Sequence, residues 1–255
     1  MWLPWPWIDS IVKQLEERKQ KNMMPHIPIF ANLCNSLNTK NGEKINEYIE
    51  LMTKLYPYVD WFEINISCPN QKWVCDTQKS EKDLSEIIQW AQKANERLAL
   101  EYWVEKKVIL VKVWPLTKHE DEPEKIQDLT IDWLKLIADV CNRYRVDGVV
   151  ATNTVKEHDW IPEEKDEIWW LSWSLIKDIS LKTVETLKWS LDKNIPIIWV
   201  WWVGCDDKKT PWNSWVLMLK SWATALQTLT AFVKKWTIVA PYNLKKAILE
   251  SMEEK

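Results

Sequence analysis

The sequence predicts an α/β fold of the (β/α)8 barrel type. About six short apolar runs, near residues 27, 62, 109, 148, 197 and 225, alternate with stretches that have the spacing of amphipathic helices. The length of 255 residues suits one such barrel or two small domains. Polar residues follow several of the runs directly, at the strand ends where this fold holds its chemistry. A complete barrel of this type has eight strands, whereas only about six are predicted here, so we expect an incomplete barrel.

Apolar spacing justifies the elements of the first half. A helix begins at Ser10, a suitable N-cap, and ends near residue 21; a strand with alternating apolar side chains follows at residues 26–32. Apolar residues three and four positions apart predict a helix at residues 43–55. Alternation predicts the next strand at residues 61–67, and a further helix is predicted at residues 83–102.

The second half repeats this alternation. Residues 108–113 form a near-continuous apolar run, which is typical of a buried parallel strand. The longest helix is predicted at residues 123–144, with Leu129 and Trp133 on its buried face. Further strands are predicted at residues 148–152, 195–203 and 225–227, and a helix at residues 183–190.

Composition and charge argue against several classes of protein. The net charge is -3, without a basic block or an acidic tail, so we expect no nucleic-acid partner. No apolar run reaches ~18 residues and no charged segment opens the chain, so we predict neither a membrane span nor a signal peptide. The five cysteines include no Cys-x-x-Cys pair, so we predict no metal site. These features fit a cytoplasmic protein and leave peripheral membrane association open.

The most informative stretch is the end of the strand predicted at residues 61–67. Asn65, Ser67, Cys68 and Asn70 crowd there, because Pro69 cannot continue a central strand. A thiol beside carboxamides suits proton abstraction from a planar, amide-rich substrate. Cysteines near strand ends are also common as small buried hydrophobic residues, which is the structural alternative.

The stretch from Asn65 to Asn70 resembles the active-site strand of the dihydroorotate dehydrogenases, whose pattern is Asn-x-Ser-Cys/Ser-Pro-Asn. The resemblance implies that Cys68 is the catalytic base and that both asparagines hold the pyrimidine. It also implies an FMN-dependent oxidoreductase that converts dihydroorotate to orotate in de novo pyrimidine biosynthesis. Cys68 would remove the C5 proton, and a hydride would pass from C6 to N5 of FMN.

Three other segments of the chain match the pattern of this family. In Ala-Thr-Asn-Thr, which ends at Thr154, the resemblance implies that Asn153 and Thr154 face the substrate. The strand containing Lys112 resembles the family's Val-Lys-hydrophobic-x-Pro strand, which implies a flavin-binding lysine; the alternative is an edge lysine that reaches solvent. Asn32 matches a flavin contact, although it would also suit a turn.

Tryptophan stands at many positions where the family has glycine. The chain has 21 Trp and 3 Gly, whereas average usage would give about 18 Gly. Residues 169–173, Trp-Trp-Leu-Ser-Trp, resemble Gly-Gly-Leu-Ser-Gly, and residues 199–202 resemble Gly-Val-Gly-Gly. We hypothesise that most or all of these codons are read as Gly in the source organism, as a reassigned UGA codon would allow. UGG codons would instead indicate a truly Trp-rich protein.

The resemblance also implies where the cofactor's phosphate binds. Backbone N–H groups at two strand ends are expected to hold it, since phosphate must approach bare backbone. The cofactor-binding positions implied in this way are Trp201, Trp202, Leu229 and Thr230, together with Trp173 in the Gly-Gly-Leu-Ser-Gly-like loop.

The start of the chain and its partners leave several alternatives. Residues 1–7 resemble a family loop that two strands precede, so we expect a single FMN-binding domain, residues 1–255, without its first two strands. The expected partner is a small-molecule substrate; quinone, fumarate or NAD as electron acceptor, and a homodimer, stay open. The alternative functions are a flavin barrel acting on another pyrimidine, which the asparagines disfavour, and a chain unable to bind FMN, which flavin absorbance would reveal.

Overall fold

Strands and helices alternate along the chain, as the apolar spacing predicts. The computed structural model describes residues 8–36, 43–68, 79–118, 122, 125–155, 176–200 and 223–227. The chain divides into two compact units, Met1–Val111 and Lys112–Lys255, and the division falls within the third strand. Among the helices of the described ranges, none combines the length and apolar character needed to cross a membrane.

The first unit supplies two complete strands and part of a third. Its elements are α1 (Ile8–Gln20), β1 (Phe30–Leu33), α2 (Lys44–Leu55), β2 (Trp61–Asn65), α3 (Glu81–Tyr102) and most of β3 (Val108–Val113). β1 and β2 are parallel, with Phe30 opposite Trp61 and Leu33 opposite Ile64. The strand order here is the chain order, β1-β2-β3. The residues that follow β1 and β2 therefore share one edge of the sheet.

The second unit continues from the last residues of β3. Its elements are α4 (Asp128–Tyr144), β4 (Gly148–Ala151), α5 (Lys177–Ser190), β5 (Ile197–Val200) and β6 (Ala225–Gln227). β4 is parallel to β5, and β5 is parallel to β6. The strand order is again the chain order, β3-β4-β5-β6. Parallel strands in chain order are the arrangement that a (β/α)8 barrel uses.

The strand β2 and the residues after it are buried on both faces. Phe62, Ile64 and Ile66 have no exposed surface, and the polar residues Glu63 and Asn65 between them are buried as well. A parallel strand that is covered on both faces has this pattern. The alternation of apolar residues therefore predicts the strand correctly, but the polar residues between them lie in the interior as well.

Several element boundaries in the first unit differ from their prediction. Ser10 is the third residue of α1 rather than its N-cap, because the helix includes Ile8. The strand predicted at residues 26–32 begins at Phe30, and Ile27 is exposed. β2 ends at Asn65, since the side chain of Asn65 turns the backbone by accepting a hydrogen bond from a main-chain N–H two residues later.

The helix predicted at residues 123–144 also begins later, at Asp128. Ile126 forms an isolated antiparallel bridge with Lys118, so the backbone before Gln127 is not helical. Leu129 is exposed, so it does not lie on the buried face that the spacing predicts for it. The buried residues of α4 are Thr130, Leu134, Ile137, Ala138, Val140 and Cys141.

The remaining elements agree more closely with their prediction. β3 and β6 have the predicted bounds. α5 begins at Lys177, six residues before the predicted residue 183, and β4 ends one residue before the predicted residue 152. β5 covers residues 197–200 of the strand predicted at 195–203, and the last three of those residues lie outside the described ranges.

The end of α3 has a backbone conformation that favours glycine. Trp103 follows the helix with φ 55° and ψ 44°, in the left-handed region, and its side chain is 94% exposed. The Trp103 N–H donates to the Leu100 carbonyl at 3.4 Å, and the Val104 N–H donates to the Ala99 carbonyl at 3.0 Å. These two bonds form a Schellman motif, in which glycine is the usual residue at the left-handed position.

Replacing Trp103 with glycine should stabilise the protein by about 1 kcal/mol, because a side chain in the left-handed region costs about 1–2 kcal/mol. Trp90, in the middle of α3 and partly exposed, is the matched control. Trp90→Gly should destabilise by at least about 1 kcal/mol through lost helix propensity. Urea denaturation of the two variants measures both effects. Changes of the same sign in the free energy of unfolding of both variants would contradict the inference that position 103 favours glycine.

Candidate functional site

Polar side chains gather where β1 and β2 end. Asn32 is the third residue of β1 and Asn65 is the last residue of β2, and Cys34 and Cys68 follow the two strands. The strands are adjacent and parallel, so their ends lie at the same edge of the sheet. Of the residues predicted to crowd this strand end, Asn65, Ser67 and Cys68 lie together, and Asn70 is outside the described residues.

A chain of hydrogen bonds joins the side chains at this edge. The Nδ2 group of Asn32 donates to the carboxylate of Glu63, and the Nδ2 group of Asn65 donates to Asn32 Oδ1 at 3.1 Å. Asn65 Oδ1 then accepts from the backbone N–H and from the hydroxyl of Ser67, both at 3.0 Å. Glu63 is only 1% exposed. The bonds thus connect a buried carboxylate to the residue that precedes Cys68.

Two thiols meet beside this chain of hydrogen bonds. Cys34 is hydrogen-bonded to Cys68, and both are free cysteines. The pKa of Cys34 is raised far above its ordinary value by this hydrogen bond first, then by burial, and then by the charges of Cys68 and Glu47. Cys34 therefore stays protonated and can donate its S–H to Cys68. Cys68 is half-buried, whereas Cys34 is buried, so Cys68 is the more accessible thiol.

Helix α2 contributes two more polar groups. The Tyr48 hydroxyl donates to the main-chain carbonyl of Asn65 at 3.1 Å, and burial raises the pKa of Tyr48 well above its usual range. Tyr48 consequently stays a hydrogen-bond donor. The carboxylate of Glu47 accepts from Asn35 Nδ2 at 2.9 Å and from the backbone N–H of Ser36 at 3.1 Å. These bonds hold the segments after β1 and β2 against α2.

Three residues of this cluster are not identified by the sequence analysis. Glu63 interrupts an apolar strand, which is the signal that marks Lys112 and could have marked Glu63 too. Tyr48 lies on the apolar face of a predicted helix, and nothing in the spacing reveals the partner of its hydroxyl. Cys34 becomes significant only through its contact with Cys68, which depends on strand pairing rather than on sequence distance.

The second unit has its own polar strand ends. Lys112 lies in β3 and is half-buried, while the residues on either side of it, Val111 and Val113, are fully buried. The backbone N–H of Asn153 donates to the Val113 carbonyl at 3.1 Å, so the residues after β4 lie beside the end of β3. Asn153 Oδ1 accepts from the N–H of Thr154 at 2.8 Å. This bond joins adjacent residues, so it differs from an Asx-type turn, in which the side-chain oxygen accepts from the N–H two residues later.

The remaining predicted site residues lie outside the described ranges, and β5 ends directly before two of them, Trp201 and Trp202. Trp199 is buried in β5, and its Nε1 donates to Ser180 Oγ at 2.7 Å. In the ranges that the structure describes, no group of three or more His, Cys, Asp and Glu side chains is placed to hold a metal ion. Outside those ranges lie Asn70, Trp173, Trp201, Trp202, Leu229 and Thr230.

Comparisons with known proteins agree on one family. The family model described as dihydroorotate dehydrogenase matches residues 1–251. A protein of Idiomarina loihiensis named dihydroorotate dehydrogenase (quinone) is 29% identical over 229 residues, which are 89% of this chain and 60% of that protein. A protein of the same name from Coxiella burnetii, strain Dugway 5J108-111, is 29% identical over 75% of this chain and 50% of its own length. The chain thus spans about half to three-fifths of these relatives.

Solved structures support the fold. The structure of DHODH from Eimeria tenella in complex with ferulenol has a TM-score of 0.76, with 21% identity over 98% of this chain and 65% of that chain. The ligand-free form from the same organism has a TM-score of 0.70, with 20% identity over 96% of this chain and 67% of that chain. The predicted fold class, a (β/α)8-type barrel with six strands in the described residues, is confirmed.

Proposed function

Because the dihydroorotate dehydrogenase model matches nearly its whole length, the chain belongs to this family, and we propose that it oxidises dihydroorotate to orotate with bound FMN. The observation that carries the proposal is the accessible thiol of Cys68 at the end of β2, beside the amide of Asn65. The reaction is an oxidation of a CH–CH bond and belongs to pyrimidine biosynthesis. The same edge of the sheet therefore has to bind a pyrimidine and remove a proton from it.

Cys68 is the proposed base for the C5 proton of dihydroorotate. An ordinary thiol has a pKa near ~8.5, so the thiolate needs support at neutral pH. The S–H of Cys34 provides some support, since a hydrogen bond to the charged form of a group favours that form. Within the first unit, the proposed pyrimidine contacts are Asn65 and Asn70; within the second unit, they are Asn153 and Thr154.

The chemistry of the described residues fits FMN. Lys112 is a half-buried cation in an otherwise apolar strand, where it can neutralise an electron-rich ring, and Asn32 is an exposed residue near the end of β1. When bound, FMN supplies the hydride acceptor that the oxidation at C6 requires. We propose Lys112 and Asn32 as ring contacts. The proposed contacts nearer the phosphate, which rest on the sequence resemblance, are Trp173, Trp201, Trp202, Leu229 and Thr230.

Anaerobic flavin bleaching tests the proposed function. Dihydroorotate should bleach the flavin of the purified protein, and dihydrouracil, which lacks the carboxylate, should not. Bleaching by dihydrouracil alone would favour a flavin barrel for another pyrimidine. Both relatives are named as quinone enzymes, so we propose a quinone as electron acceptor. Reoxidation by a short-chain quinone but not by fumarate would support this choice, and the reverse would contradict it.

Lys112→Ala should weaken FMN retention or slow flavin reduction, because it removes the cation proposed to face the ring. A hydrogen bond to a charged group contributes about 1.5–3 kcal/mol, so we expect the Kd for FMN to rise by about tenfold or more. Lys107→Ala, just before β3, removes a lysine at the opposite end of the strand and is the control. Fluorescence titration with FMN measures both Kd values. Normal retention and normal reduction in Lys112→Ala would make the lysine structural.

A further inference from the structure

We propose that Glu63 is a positioning residue that fixes the orientation of the Asn65 amide through Asn32. This inference rests on the proposed function, in which Asn65 contacts the pyrimidine and Cys68 removes its proton. Glu63 does not reach the substrate in this proposal. It acts through the hydrogen-bond chain that begins at its buried carboxylate and ends at the backbone of Ser67.

The polarity of the two ends allows one arrangement of the two amides between them. A carboxylate only accepts hydrogen bonds, so Asn32 must present its Nδ2 to Glu63. A backbone N–H only donates, so Asn65 must present its Oδ1 to Ser67. Asn32 Oδ1 then accepts from Asn65 Nδ2, head to tail, as observed at 3.1 Å. A flip of either amide would place two donors or two acceptors against each other.

Burial makes the carboxylate a costly group to hold for structural reasons alone. Glu63 is 1% exposed and lies between Phe62 and Ile64, which are completely buried. A buried charge destabilises a protein unless hydrogen bonds satisfy it. An apolar residue here would extend the apolar run of β2 without that cost. The Glu63 carboxylate is explained if its role is to fix the orientations of the Asn32 and Asn65 amides.

The orientation of Asn65 also determines the path of the chain to Cys68. Asn65 Oδ1 holds both the N–H and the hydroxyl of Ser67, the residue directly before the thiol. Loss of the acceptor at Glu63 would free Asn32 to rotate, and Asn65 would lose the bond that fixes its amide. We therefore expect the pyrimidine contact and the accessibility of Cys68 to change together.

Two substitutions of similar volume separate the acceptor from the packing. Glu63→Gln keeps an oxygen that can accept from Asn32, whereas Glu63→Met has none. Glu63→Met should raise the Kd for orotate by about tenfold, since one fixed polar contact contributes about 1 kcal/mol or more. Glu63→Gln should remain within about threefold of wild type, having lost only the charge assistance. Asp60→Asn, which removes a carboxylate bonded to the Ile29 N–H before β1, is the control and should match wild type.

The experiment has two readouts, of which one needs neither flavin nor turnover. Calorimetry with orotate measures binding, and mass-spectrometric mapping of iodoacetamide labelling measures the reactivity of Cys68 in the same variants. We expect a several-fold change in Cys68 labelling in Glu63→Met and little change in Glu63→Gln. Urea denaturation of each variant checks that the fold is retained.

The outcomes distinguish the positioning role from the proposed function. Wild type that fails to bind orotate would refute the proposed function, but a Cys68 response limited to Glu63→Met would still support the positioning role. Orotate binding that is equal in wild type, Glu63→Met and Glu63→Gln, with unchanged Cys68 labelling, would overturn the positioning role alone. Equal losses in Glu63→Met and Glu63→Gln would overturn it too, because the retained acceptor would then have no effect. If Glu63→Met does not fold, wild-type behaviour of Glu63→Gln still supports the role, and an order-of-magnitude loss in Glu63→Gln overturns it.

Discussion

Replacing Cys68 with alanine should lower dihydroorotate-dependent flavin reduction by about 10²–10⁴-fold, the usual contribution of a positioned general base. The bound flavin should remain yellow, since the substitution removes only the thiol. Cys34 cannot take over the role, because it is buried and this burial raises its pKa even when the Cys68 thiol is gone. Stopped-flow absorbance at the flavin band measures the reduction rate directly.

Cys141→Ala is the matched control for the loss of a buried thiol. Cys141 lies in α4, and burial raises its pKa to about 12, so it is unreactive at neutral pH. Its removal should leave flavin reduction unchanged and cost only packing energy. If Cys68→Ala reduced its flavin at the wild-type rate, Cys68 could not be the base. A Cys34→Ala rate close to wild type would separately show that the S–H of the neighbouring thiol contributes little.

Glycine in place of the tryptophans at 169, 170, 173, 201 and 202 should convert a colourless or aggregating chain into one that binds FMN. Each Trp side chain brings about 150–250 Å² of surface, and overpacking a tight position costs about 1–3 kcal/mol. Stabilities of folded domains are only about 5–15 kcal/mol, so several such positions would exhaust them. Both versions must carry the same N-terminal sequence, as the gene encodes it. A visible spectrum of each purified protein is the measurement.

Helical tryptophans provide the control for this exchange. Trp90 in α3 and Trp133 in α4 lie within helices, where glycine costs about 1 kcal/mol relative to a helix-forming residue. Glycine at these two positions alone should lower stability and should not bring FMN binding. A soluble, yellow chain that keeps all its tryptophans would show that they are true features of the protein.

The sequence predicts the elements better than the contacts between them. The apolar run at residues 108–113 defines β3 to the residue, because a strand buried on both faces needs continuous apolar character. Asn65, Ser67 and Cys68 are found together because they are neighbours in the chain. Glu63 and Cys34 join the same cluster because β1 pairs with β2. Asn32 and Glu63, which are hydrogen-bonded across these strands, are 31 positions apart in the sequence. Spacing within one segment carries no signal for such a contact.

Boundaries fail where a local polar contact competes with apolar spacing. The bridge between Ile126 and Lys118 delays the start of α4, although the periodicity extends further back. Composition likewise cannot say which tryptophans suit glycine. The backbone can: Trp103 has φ 55° after a helix, whereas Trp90 lies within the same helix. The hypothesis of altered decoding can therefore be examined position by position.

The end of α3 also presents several apolar side chains to solvent. The last turn of α3 and the two residues after it expose four large apolar side chains: Leu100, Tyr102, Trp103 and Val104. Neighbouring apolar side chains on a surface favour self-association. Glycine at position 103 would remove the largest and most exposed of the four. A weaker dependence of apparent molecular mass on protein concentration in Trp103→Gly than in the unchanged chain would show that this side chain promotes self-association.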